Sequence, residues 1–79
     1  MIREGDRVVL ARAVERYPHF FAAAGLTGEV VVAEPDLISV RMDEQLPGAE
    51  AWENEIEWGE GLVDQAGEDL EVVVAAGGR

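Results

Sequence analysis

Seventy-nine residues with no cysteine and a single histidine, His19, make at most one small domain, and they exclude a disulfide framework or a zinc site of the Cys/His type. Seventeen acidic side chains stand against six basic ones, all arginine, for a net charge of −11. A field of that sign repels phosphate backbones and anionic membranes and attracts cations and basic proteins.

The charge is unevenly spread. Residues 1–41 carry six acids and five arginines, whereas residues 42–79 carry eleven acids and only Arg79. No apolar run approaches the ~20 residues that span a bilayer, and Met1-Ile2-Arg3-Glu4-Gly5-Asp6 has no hydrophobic stretch behind a basic start. Both absences point to a cytoplasmic protein without a membrane partner. So short a chain buries only about 60% of the surface its unfolded form exposes. A well-packed β core, with homo-oligomerisation as a further aid, is therefore the expected source of stability.

Period-two runs mark half-buried strands. In the first, Asp6 to Val14, Val8, Leu10 and Val14 share one face, and Arg7, Val9, Ala11 and Ala13 the other. Residues 15–27 form a long connection in which Pro18 can open a helical turn and Gly25 close it. The second run, Gly28 to Glu34, sets Val30 and Val32 inward. Pro35-Asp36 then supplies a turn, and Leu37 to Asp43 places Ile38, Val40 and Met42 inward against Ser39 and Arg41 outward. These two runs predict a hairpin. Residues 44–53 contain Pro47-Gly48 and one more candidate helical turn before the run Asn54 to Trp58, with Ile56 and Trp58 inward. Residues 59–69, rich in glycine and acids, read as a mobile loop, and Leu70 to Val74 offers a last strand with Leu70, Val72 and Val74 inward. The expected organisation is one domain over residues 1–74 and a fraying tail over 75–79.

Gly5-Asp6-Arg7-Val8, followed by Gly25-x-Thr27-Gly28-x-Val30, is similar to the first hairpin of SH3-like barrels. These include KOW-type ribosomal and transcription modules, the nitrile hydratase β subunit and the variable chain of ferredoxin-thioredoxin reductase. Asp69-Leu70-Glu71-Val72 resembles the last strand of the redox accessory members. Over about residues 4–58, Tyr17-Pro18-His19-Phe20, Ala24-Gly25-Leu26-Thr27-Gly28, Val40-Arg41-Met42-Asp43-Glu44 and Pro47-Gly48-Ala49-Glu50-Ala51-Trp52-Glu53-Asn54-Glu55-Ile56 also look like a group of short bacterial proteins of uncharacterised function. The resemblance implies a mainly all-β fold, a five-stranded SH3-like barrel with one or two short helical turns in its loops. It carries over no catalytic residue, because the resembling families place their chemistry in other subunits.

The residues themselves argue against catalysis. His19 has no cysteine beside it, and the only serine, Ser39, lies in a strand, so no nucleophile–base pair is set up. Asp43, Glu44, Glu50, Glu53, Glu55 and Glu57 crowd one stretch, but the alternating acids and central glycine of a calcium loop are missing. Gly25 and Gly28 flank a turn with neither the lysine nor the following helix of a phosphate cradle. No enzyme, metal or cofactor is expected. The aromatics are more informative: Trp58 alternates with glutamates and reads as core, while Trp52 sits among acids, either capping the core or standing exposed. By analogy with SH3-like barrels, Tyr17 and Trp52 would border one groove, with Asp43, Glu44, Glu50 and Glu53 around it. The resulting expectation is a non-enzymatic interaction or accessory module for a basic protein partner. The alternative is a KOW-type nucleic-acid-linked module or an acidic mimic of nucleic acid, and charge disfavours direct nucleic-acid binding.

Overall fold

The computed structural model describes residues 2–16 and 18–77. In chain order the elements are β1 (Arg7–Leu10), β2 (Val14–Arg16), β3 (Phe20–Ala22), β4 (Thr27–Glu34), β5 (Leu37–Met42), a 3-10 turn (Glu50–Trp52), β6 (Glu55–Trp58), α1 (Val63–Asp69) and β7 (Leu70–Val74). Five strands form one antiparallel sheet in the order β6-β5-β4-β1-β7, and β2 and β3 pair separately as a two-stranded ribbon. No ladder joins β6 to β7, so the sheet is open and the closed SH3-like barrel expected from the glycine spacing is not formed. The connection between the two edge strands explains why. Residues 59–69 are loop only as far as Leu62: α1 takes Val63–Asp69 and packs against β5, β6 and β7.

The predicted hairpin of runs two and three is present, with Glu34 opposite Leu37 across the Pro35-Asp36 turn. Its register contains a bulge. Val30 pairs with Val40 but Val32 with Ser39, leaving Val31 as the extra residue. The bulge breaks strict alternation, so Ile38, Ser39 and Val40 are all buried and Val32 is only half-buried. Ser39, expected outward, compensates its burial by donating its hydroxyl to Glu55 at 2.9 Å.

The core joins Val8, Leu10, Val14, Val30, Ile38, Val40, Met42, Ile56, Trp58 and Leu70, supplemented by Leu46, Ala49 and Ala66 from the connections and Ala22 from β3. The chain bends after Leu10, so Val14 reaches this core from β2 rather than as a continuation of β1. The helical turn expected at Pro18 is replaced by the β2–β3 ribbon, in which Val14, Glu15 and Arg16 pair with Ala22, Phe21 and Phe20. On β7 the inward assignment holds for Leu70 but fails for Val72 and Val74. The strand is irregular opposite Arg7 and Val8, and both valines are exposed.

Two buried carboxylates tie the ends of the sheet together. Asp6 accepts backbone N–H groups from Arg3 at 2.8 Å and Ala76 at 2.6 Å, and the Ala76 bond holds its carboxyl below the ordinary aspartate range against the opposing effect of burial. Asp69 closes α1 onto the sheet by accepting from the Trp58 indole. Among the described residues no buried side-chain nitrogen or oxygen lacks a partner. No helix among them is long and apolar enough to cross a membrane.

Candidate functional site

Pro47-Gly48 turns the chain toward the tip of the β2–β3 ribbon. Gly48 has φ +90°, a backbone region that favours glycine, and a Cβ there would lie 2.2 Å from the His19 carbonyl oxygen. Only glycine lets the two connections approach this closely. Its N–H donates to a Glu50 carboxylate oxygen at 3.1 Å, and buried Leu46 and Ala49 anchor the segment to the core. The 3-10 turn that follows ends in two successive left-handed residues, Glu53 at φ 56° and Asn54 at φ 61°. Asn54 is suited to that conformation, and its amide clamps the connection. Its Oδ1 accepts from the Leu46 N–H at 2.8 Å and from Gln45, while its Nδ2 donates to the Met42 and Glu44 carbonyls, each at 2.9 Å.

This clamp presents Trp52. The indole lies with its ring centre 4.5 Å from that of His19 and 6.2 Å from that of Phe20, tilted by 56° and 57°. It remains 43% exposed, so it stands on the surface against two supporting rings and does not cap the core. Beside it is a hollow of about 160 Å³ lined by Arg16, His19, Phe20, Trp52, Glu55 and Glu57. Arg16 is fixed in place: its guanidinium carbon is 5.3 Å from the centre of the Trp58 ring, and it donates to the Glu57 carbonyl at 3.1 Å. Burial pushes the Arg16 pKa down, though a guanidinium stays charged.

The expected site residues are only partly brought together. Tyr17 lies outside the described residues. Asp43 is engaged by the Arg7 guanidinium and by the Thr27 hydroxyl, at 2.6 Å for the latter, which lowers its pKa and occupies both its oxygens. Glu44 and Glu53 are exposed with no ion-pair partner among the described residues, and Glu50 caps the Gly48 N–H. The acids that do line the hollow are Glu55 and Glu57. Glu55 is held by Arg41 at 2.7 Å, and Glu57 is exposed. Their alternation with Ile56 and Trp58 placed both on one outward face. Their proximity to the ribbon tip required the β2–β3 pairing, which the sequence reading replaced by a helical turn. Among the described residues no group of three or more potential metal ligands is gathered.

No family model matches the chain, and no curated protein or solved structure is significantly similar to it. Together with the open sheet, this overturns the resemblance to SH3-like and KOW-type barrels, to the redox accessory subunits and to the short bacterial group. The glycines that carried it serve local turns and a close strand approach.

Proposed function

We propose that this chain is a non-enzymatic, cytoplasmic interaction module that receives a basic segment of a partner protein at the hollow beside Trp52. The observation that carries this reading is an exposed indole braced by His19 and Phe20, with Glu57 on the rim of its hollow and Glu50 and Glu53 flanking it in sequence. A ring face and nearby carboxylates attract a guanidinium or ammonium together. The remaining charge favours the same partner. Only Asp43, Glu55, Glu68 and Asp69 take part in ion pairs among the described residues, against seventeen acids in the chain. The nucleic-acid reading requires Arg3, Arg7, Arg12, Arg16 and Arg41 gathered on one free face, and four of the five are engaged elsewhere. Arg7, Arg12 and Arg41 are each committed to carboxylates, and Arg16 to Trp58 and backbone. Calorimetric titration of wild type and Trp52→Ala with an arginine/glycine peptide at two salt concentrations tests the proposal. Saturable, salt-weakened binding that Trp52→Ala weakens by about 2 kcal/mol is expected, and equal binding by the variant would overturn it.

A further inference from the structure

A second surface lies at the other edge of the sheet. Where α1 holds β6 and β7 apart, a groove of about 630 Å³ opens, with an apolar floor formed by Ile2, Ile38, Val63, Leu70 and Val72 and with Gly67 of α1 on its wall. Its rim carries Glu34 and Asp64, and an adjoining depression that shares Pro35, Val63 and Asp64 adds Asp36 and Glu60. Four carboxylates therefore border the groove, and among the described residues no basic residue lines either part. None of the four has an ion-pair partner among the described residues. Beside the floor runs β7, paired only with β1, with Val73 54% and Val74 55% exposed.

We infer that this groove binds an extended peptide segment of the basic partner, seating one or two aliphatic side chains on the floor and flanking arginines or lysines on the acidic rim. Its volume lies within the range of sites that hold a few side chains. The open β7 edge offers backbone donors and acceptors to a strand laid alongside, with pockets for alternate side chains giving specificity. Charge selects the occupant. A second copy of the chain would bring another net −11 to a rim that already carries four uncompensated acids, whereas a basic segment meets complementary potential. The inference rests on the reading of the chain as a module for a basic partner, but it places the apolar part of recognition away from Trp52.

Gly67 supplies a clean test. A Cβ at this position meets nothing within 4 Å and its φ is not positive, so a side chain can start here unhindered, and Gly67→Leu adds bulk on the groove wall while improving the helix. The probe is a synthetic peptide with leucine and isoleucine at alternate central positions and two arginines at each end. The controls replace its apolar residues by serine or its arginines by aspartate. With isotopically labelled full-length protein, the amides of Ala33, Val63, Gly67, Leu70 and Val72 are expected to shift on titration. Gly67→Leu should weaken binding about tenfold or more without lowering the unfolding midpoint, and Glu34→Gln with Asp64→Asn should weaken it several-fold and flatten its salt dependence. Both controls should fail to shift these amides. Binding unaffected by Gly67→Leu would overturn the groove. Shifts confined to residues around Trp52 would overturn it as well while leaving the basic-partner reading intact, and no shift anywhere at low salt would end both. Groove amides that move with protein concentration alone would assign the surface to a second copy and overturn the peptide.

Discussion

The indole N–H of Trp58 donates to one carboxylate oxygen of Asp69 at 2.9 Å, while the Arg12 Nε–H reaches the other at 2.5 Å. Trp58 and Asp69 are both buried, so this one carboxylate joins β6, the C-terminal end of α1 and the bend after β1. Asp69→Ala leaves a buried indole donor without a partner, whereas Arg12 can turn to water. The expected cost is about 2–3 kcal/mol, read as a lowered urea midpoint by tryptophan fluorescence. Asp69→Asn keeps an acceptor for only one of the two donors and should fall between.

Asn54 gives a sharper contrast. Its amide uses both sides, accepting from Leu46 and Gln45 and donating to the Met42 and Glu44 carbonyls. Asn54→Asp keeps the shape and the left-handed backbone but turns two donors into a charge facing two carbonyl oxygens. A loss of about 3 kcal/mol is expected at neutral pH. Part of it should be recovered on acidification, as the new carboxyl protonates, and thermal melts at two pH values check the sign.

Gly48→Ala tests whether the two connections must touch for the Trp52 hollow to exist. The added methyl would meet the His19 carbonyl at 2.2 Å on a backbone with φ +90°. Displacement of the 44–53 connection from the ribbon tip should cost about 2–3 kcal/mol and weaken arginine/glycine peptide binding. Trp52→Ala should do the reverse, losing about 2 kcal/mol of binding and less than about 1 kcal/mol of stability. Paired affinity and unfolding measurements on the two variants separate positioning from contact.

Asp6 should make the fold acid-sensitive in a defined window. Its carboxyl is held below the ordinary value of 3.8 chiefly by the Ala76 N–H, so the folded state keeps the charge to lower pH than the unfolded chain. That contribution is complete above the unfolded pKa and disappears as pH falls through the folded one. The stability difference between wild type and Asp6→Asn should be constant from about pH 7 to about pH 5 and shrink below about pH 4. A difference that grew on acidification would reverse the assignment.

The sequence carried the hairpin and most of the core because period-two alternation reports burial directly. Val8, Leu10, Val30, Ile38, Val40 and Ile56 are buried as the pattern predicts, and Trp58 is wholly so. It failed where pairing partners, rather than faces, decide the outcome. Nothing in the alternation of β4 reveals the bulge at Val31, and the aromatic 15–27 connection becomes a ribbon only because β2 and β3 find each other. The missed helix did leave a signal. Leu62, Val63, Ala66 and Leu70 recur at helical spacing, masked by Gly59, Gly61 and Gly67 and by the acids between them. With α1 unread, closure of the sheet followed by default. The exposure of Trp52 depends on the Gly48–His19 approach, a contact between distant segments that composition does not encode.

The two free borders of the open sheet are not equivalent. On β6 the Arg16 guanidinium already occupies the Glu57 carbonyl, whereas among the described residues no such plug stands on β7, and its valines face water. Unguarded borders of that kind invite stacking of identical chains, and a net charge of −11 opposes it. The safeguard expires near the isoelectric point of about 4.2, where colloidal repulsion vanishes. Light scattering during a slow acid titration should therefore rise as pH approaches about 4. Val73→Lys should reduce the scattering reached at that variant's own isoelectric point, because an inserted charge keeps a sheet margin wet even when the net charge is zero.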